Sequence, residues 1–192
     1  MTISIILLLY LLTSTRCPLL KRLPERPTRI LIIGCGQGTT TSALAGLIPV
    51  DGGRVDALDP TPHSHVCALE QYVHRSSNGS PYTLGEAQTY LTWYHPITFH
   101  QTDAIQFLAD DTNKDKEWEV VVLVHSVWYF DFVTTLRKTL EKLKGRMKRV
   151  FIAEHALRAT SREAQPHVLA PISRATLEVL RLGRTVEEAE WI

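Results

Sequence analysis

A strongly apolar strand that breaks into glycines constrains this chain more than any other feature. Ile30-Leu31-Ile32-Ile33 is a continuous apolar run, the pattern of a strand buried on both faces of a parallel sheet, and Gly34-Cys35-Gly36-Gln37-Gly38 follows at once. The polar run Thr39-Thr40-Thr41-Ser42 then opens a helix over Ala43–Leu47. A sharp strand-to-helix turn needs positive φ or a missing Cβ, and a missing Cβ also lets a ligand approach the backbone closely. This is the opening of an open α/β sheet, whose ligands lie beyond the carboxyl ends of the strands.

The later strand ends agree with that opening. A second strand, Gly53 to Leu58, ends at Asp59-Pro60, and Asp59 stands about twenty residues past the glycines. A carboxylate there can accept both hydroxyls of a ribose. A third strand, Ile97 to Gln101, leads into Thr102-Asp103-Ala104, where Asp103 can accept from the exocyclic amine of adenine. A fourth, Val120 to Val124, ends in His125-Ser126-Val127-Trp128-Tyr129-Phe130, and a fifth, Val150 to Ala153, ends at Glu154-His155. The glycine spacing is Gly-x-Gly-x-Gly, whereas a dinucleotide fingerprint wants its third glycine at the position of Thr39. That offset tilts the cofactor from nicotinamide or flavin toward S-adenosylmethionine. The chain also lacks a Tyr-x-x-x-Lys pair, which argues further against an oxidoreductase.

With these motifs together, the stretch Ile30–Arg181 resembles the class I S-adenosylmethionine-dependent methyltransferases. Ile32-Ile33-Gly34-Cys35-Gly36-Gln37-Gly38, Ala57-Leu58-Asp59-Pro60 and Thr102-Asp103-Ala104 look like that family's first three motifs. Val122 to Phe130 and Ile152 to Leu157 are similar to a fungal methyltransferase-like subgroup. The resemblance implies a doubly wound sheet of seven strands, cofactor on the glycine loop, and an acceptor over the fourth and fifth strand ends. It places Gly34, Cys35, Gly36, Gln37 and Gly38 around the methionine moiety, Asp59 and Pro60 at the ribose, and Asp103 and Ala104 at the adenine. His125 becomes the candidate general base or a support for the methionine end, and Trp128, Tyr129 and His155 the candidate walls of an acceptor pocket. Two departures stand out. The acidic residue the family usually carries two positions before the first glycine is Ile32 here, and the chain stops at Ile192, short of the strand pair that completes the family's sheet. Where amide and base methyltransferases carry Asn/Asp-Pro-Pro-Tyr, this chain has His125-Ser126-Val127-Trp128, which disfavours exocyclic-amine chemistry on bases.

Composition narrows the remaining classes. At 192 residues, 44% of them hydrophobic, the chain suits one substantial core. A net charge of +1 supplies no global field to attract nucleic acid. Cys17, Cys35 and Cys67 form no Cys-x-x-Cys pair and are odd in number, which points to a reducing compartment. Cys35 reads as a small residue in a tight loop, without redox chemistry. The apolar segment Ile3 to Leu12 is shorter than a membrane-spanning helix. It reads as a helix packing on the first strand, with a signal peptide or membrane anchor as the other reading.

The middle and the second half are less distinctive. Asp59 to Pro81 is dense in turn formers, and His63-x-His65, though suggestive of metal binding, reads as a solvated loop. Tyr82 to Leu91 begins a short helix beside the cleft. Asp110 to Lys116 reads as a solvated charged loop. Phe132, Leu136, Leu140 and Leu143 recur at helical spacing with Gly145 as terminator, and Arg146, Lys148 and Arg149 follow as a basic cluster that can meet phosphates or simply face solvent. Gln165 to Arg181 is a further helix, kinked at Pro171.

The sequence therefore leads to a Rossmann-like, doubly wound, mostly parallel α/β sheet of about five strands in the order 3-2-1-4-5, in three layers. Residues 1–27 form the apolar lead-in, 28–182 the S-adenosylmethionine-binding domain and 183–192 a tail. The expected activity is methyl transfer to a small-molecule acceptor, with no nucleic-acid partner, in the cytoplasm, and with no metal. A methyltransferase-like protein without activity, or a partner subunit, is the alternative, and a nicotinamide-dependent oxidoreductase a remote one. Membrane contact is open only to residues 3–12. An unpaired edge at Val150, Phe151 and Ile152 would invite a homodimer.

Overall fold

Five runs of β-branched and aliphatic residues pair side by side in a computed structural model that describes residues 27–49, 51–65, 83–93, 96–127, 130 and 133–154, with scattered positions from 158 to 180. The order is β1 (Arg29–Ile33), α1 (Thr39–Ala45), β2 (Arg54–Leu58), α2 (Leu84–Thr92), β3 (Ile97–His100), α3 (Ala104–Ala109), β4 (Trp118–Val124), α4 (Val133–Leu143) and β5 (Met147–Ala153). Every pairing is parallel, and the sheet runs β3-β2-β1-β4-β5. This is the strand order that the sequence implies, with no antiparallel member among the described residues. Chain reversal between β1 and β4 puts a switch point beside the end of β1, where an open α/β sheet binds ligands.

Period-two alternation distributes each strand between two cores. Ile30 and Ile32 join Val55, Ala57, Val120 and Val122 on one face, under Leu44 and Ala45 of α1, with Leu91 of α2 packed alongside. Leu31 and Ile33 join Leu58, Val121 and Leu123 on the other, under Ala104, Phe107 and Leu108 of α3 and Leu143 of α4. Burying each such aliphatic side chain stabilises the fold by about 1.5–3 kcal/mol. These two sandwiched faces make the three-layer arrangement.

Several boundaries differ from the sequence reading. α1 starts at Thr39, directly after Gly38, so the threonines belong to the helix, and Thr41 is fully buried beneath it. β4 begins at Trp118, because its indole N–H reaches Asp56 Oδ2 at 3.0 Å. β5 begins at Met147, where Lys148 and Arg149 hide the strand pattern that edge position permits. Helix α3 is absent from the sequence reading, although Asp103 caps it by accepting from Ile105 N–H at 2.8 Å and Gln106 N–H at 2.9 Å. α2 has a full capping box between Thr83 and Glu86.

The loop and basic residues have structural duties that the sequence did not disclose. Asn113 is buried and donates to Phe107 O at 3.1 Å, while Lys116 lies 4.0 Å from Asp56, so the Asp110–Lys116 loop is partly built into the fold. The Arg146 guanidinium donates to the carbonyls of Leu108, Lys116 and Asn113 and lies over the Trp118 ring, 5.2 Å from its centroid. Lys148 pairs with Glu119 at 3.0 Å. Two members of the expected basic cluster thus hold the amino-terminal ends of the strands together.

The chain divides into two units, residues 1–153 and 154–192. In the second unit each described position between 165 and 180 that bears secondary structure is helical, and Leu169, Ile172, Leu177 and Leu180 are exposed there. The expected kink at Pro171, the apolar segment 3–12 and the tail 183–192 lie outside the described residues. Among the described residues no helix is long and apolar enough to cross a membrane.

Candidate functional site

The turn after β1 is held by atoms from three other segments. Gly34 N–H and Cys35 N–H both donate to Leu58 O, at 2.9 and 3.0 Å, tying the turn to the end of β2. Gly38 N–H closes back onto Cys35 O at 3.0 Å. Between them, Gly36 N–H donates to Asp59 Oδ2 at 2.8 Å, and Gly36 O accepts from Gln88 Nε2 at 2.9 Å.

The glycines of this turn answer different demands. A Cβ on Gly34 would stand 2.3 Å from Ser126 Cβ, so the turns after β1 and β4 touch there. A Cβ on Gly38 would stand 2.6 Å from Leu91 Cδ1, which lets α2 lie directly on the loop. Gly36 has φ +53 and nothing within 4 Å of its Cβ position. Among the described residues its backbone is therefore open on that side, and a bound molecule can come close to the main chain there.

Asp59 does more than the sequence suggested. Its Oδ2 holds Gly36 and its Oδ1 accepts from Thr61 N–H at 3.0 Å, so the carboxylate positions both the glycine turn and its own loop. Each oxygen keeps a second lone pair for a ligand hydroxyl. The loop continues to His63 and His65, both exposed, whose carbonyls accept from Gly85 N–H and Leu84 N–H at 2.9 Å each. Their role in the described structure is to seat the start of α2.

Gln88 is the residue that the sequence reading missed. It is 5% exposed, on α2, and 52 positions from the carbonyl it holds. A buried glutamine in an otherwise amphipathic helix was the available signal, because a buried amide must find partners. Cys35 lies beside it, with Gln88 Nε2 at 3.9 Å from the sulfur. Burial, and then the negative charge of Asp59, push the Cys35 thiol well above its ordinary range, which keeps it protonated and inert.

Asp103 spends Oδ1 on the cap of α3, leaving Oδ2 at the end of β3 for another donor. Ala104 is buried in the core beneath it. His125 follows β4 in a left-handed conformation, φ 52, while its N–H continues the ladder to Ala153 O at 2.9 Å. Ser126 is buried, and its hydroxyl has no hydrogen-bond partner among the described residues. Phe130 packs on the core beneath α3 and α4. Trp128, Tyr129 and His155, the expected acceptor pocket, lie outside the described residues. Ile32 is 1% exposed within an apolar cluster, so no acidic group stands at that position. An open hollow of about 540 Å³ lies elsewhere, between the end of α4 and the start of β5, lined by Leu136, Leu140 and Met147 among others.

A parallel 3-2-1-4-5 sheet, a glycine turn open at its centre and a carboxylate at the end of β2 make this a Rossmann-like, doubly wound fold. Two methyltransferases of Diaporthe leptostromiformis, phomM' and phomM, are each 29% identical to the chain over 174 residues, covering 80% of it and 42% of the relative. The chain thus spans less than half the length of the curated relatives it matches. Among solved structures, a cyclopropane-fatty-acyl-phospholipid synthase-like protein from Lactobacillus casei superimposes with a TM-score of 0.61 at 26% identity, covering 81% of this chain and 53% of the other. No family model matches the chain. In sequence the chain is thus similar to fungal methyltransferases, and in fold to the Lactobacillus casei protein.

Proposed function

We propose that this protein binds S-adenosylmethionine at the glycine turn and transfers its methyl group to a small-molecule acceptor. The observation that carries the reading is the Gly36 peptide, open toward solvent on its Cβ side while its N–H is held by Asp59. That cradle fits the group: a side chain at Gly36 would fill the space, and the adjacent carboxylate has lone pairs to spare. The fungal relatives, named methyltransferases, support the same reading.

In this assignment Gly34, Cys35, Gly36, Gln37 and Gly38 surround the methionine moiety. Asp59, beside Pro60, accepts the ribose hydroxyls, and Asp103 Oδ2, above Ala104, accepts from the adenine amine. When bound, the cofactor supplies an electrophilic methyl on a sulfonium, so the protein's work is alignment, with a base only where the acceptor carries a proton. His125 is assigned that base, or the support of the methionine end. Trp128, Tyr129 and His155 are assigned to the acceptor. A cofactor made and recycled inside cells assigns the protein to the cytoplasm.

A second reading, a methyltransferase-like subunit without activity of its own, is favoured by Ile32, which puts a packed aliphatic side chain where a carboxylate would steady the methionine end. A titration tests the cofactor site that the first reading requires. Calorimetry with S-adenosylmethionine and S-adenosylhomocysteine should give micromolar binding, weakened about a hundredfold or more in Asp59→Ala. A folded protein that binds neither compound would discard the methyltransferase reading.

A further inference from the structure

Gly36 is gripped on both sides of its Cα. Its N–H donates to Asp59 Oδ2 at 2.8 Å and its carbonyl accepts from Gln88 Nε2 at 2.9 Å. The two side chains come from different segments, the loop after β2 and helix α2, and are themselves linked. Asp59 Oδ1 fixes Thr61, the same loop seats Gly85 and Leu84 through the carbonyls of His63 and His65, and α2 then returns to the turn with Gln88 and Leu91. The result is a closed ring of contacts around one glycine residue.

We propose that Gln88 is a positioning residue for the cofactor turn: its amide holds the Gly36–Gln37 peptide while the Asp59 carboxylate holds the Cys35–Gly36 peptide, which fixes φ and ψ at Gly36 and keeps the turn in its binding conformation before any ligand arrives. The proposal rests on the cofactor assignment above for its consequence, though not for its geometry. Glycine at φ +53 with open space around it has many conformations to choose from, and the turn itself does not select one. Two hydrogen bonds, one on each of the peptides that flank its Cα, do. Gln88 is buried, so losing its amide leaves the Gly36 carbonyl without that donor inside the protein. A turn that must order itself on binding loses affinity for that reason.

The test uses Gln88→Leu, which removes the donor, and Gln88→Glu, which keeps the shape but places an acceptor against the Gly36 carbonyl. Both residues are good helix formers, so α2 should survive, and thermal melting checks this. Amide hydrogen exchange of the protein without ligand should speed up about tenfold or more in residues 34–40 for either variant, with core amides of β1 and β4 unchanged. Cofactor dissociation constants should rise about tenfold to a hundredfold for both. For Gln88→Glu alone the loss should shrink as the pH falls and the buried carboxyl gains a proton it can donate.

Unchanged exchange in residues 34–40 of Gln88→Leu overturns the proposal, whether or not any ligand binds. Faster exchange with unaltered affinity overturns the claim of positioning. If the wild-type protein binds no S-adenosylmethionine yet the exchange effect appears, the cofactor assignment fails while the latch on Gly36 stands.

Discussion

The turns after β1 and β4 touch at Gly34 and Ser126 but are built on opposite plans. The first takes its positive φ angles on glycines, and its hydrogen bonds come from β2, α2 and its own backbone. The second takes φ 52 on His125, a conformation that costs a residue with a Cβ about 1–2 kcal/mol. It also buries the Ser126 hydroxyl without a partner among the described residues. One turn takes its positive φ on glycines and is tied to β2 and α2; the other takes it on a histidine and leaves the Ser126 hydroxyl without a partner among the described residues. Strain of this kind concentrates where a side chain must be aimed, and here it aims a histidine from the end of a central strand.

The largest effect expected from breaking this contrast is at the contact itself. Gly34→Ala forces a Cβ to within 2.3 Å of Ser126 Cβ at a φ of +75, and should lower stability by about 3 kcal/mol or more in urea unfolding. Adding Ser126→Gly should return part of that loss. A neutral Gly34→Ala would mean the two turns do not meet as described.

Strain on the β4 side predicts an unusual ranking. His125→Gly should be more stable than His125→Ala by about 1 kcal/mol, because only glycine adopts the left-handed conformation freely. Thermal melting of the pair decides it, and an alanine variant equal to or better than the glycine variant removes the strain from the account. Both variants should lose methyl transfer if His125 is the base.

Acid sharpens a second contrast, between the strand carboxyl ends and the amino ends that Glu119 braces. Thr28 N–H, then Lys148 and the Thr28 hydroxyl, hold the Glu119 carboxyl down at about 2, from an ordinary 4.5. Since the folded value is the lower one, this stabilisation is full above about pH 4.5 and fades as the pH falls toward 2. Asp56 follows the same sign: burial raises its carboxyl, but hydrogen bonds from His100 and Trp118 with the Lys116 charge outweigh that and leave it lowered. Glu119→Gln should therefore flatten part of the acid limb of stability while leaving cofactor affinity alone. An unchanged limb would show that other carboxylates govern it.

The smallest effect concerns the free edge of the described sheet. Val150 and Ile152 are 39% and 48% exposed on β5, and a homodimer along that edge is the expectation to test. Sedimentation should give a concentration-dependent mass that Ile152→Lys reduces to a monomer. A monomer at every concentration ends that expectation.

What the sequence determined by itself is local and periodic. Continuous apolar runs specify buried parallel strands, glycines at 34, 36 and 38 specify the turn, and the spacing to Asp59 specifies a carboxylate at the next strand end. These follow from backbone sterics and side-chain alternation, which act over a few residues. What only the tertiary structure decided is which polar atoms meet. Gln88 finds a carbonyl 52 residues away, and Arg146 is absorbed by the carbonyls of Leu108 and Lys116, 38 and 30 residues away. Hydrogen-bond partners across such distances are chosen by how the layers pack, and nothing in the neighbouring residues records that choice.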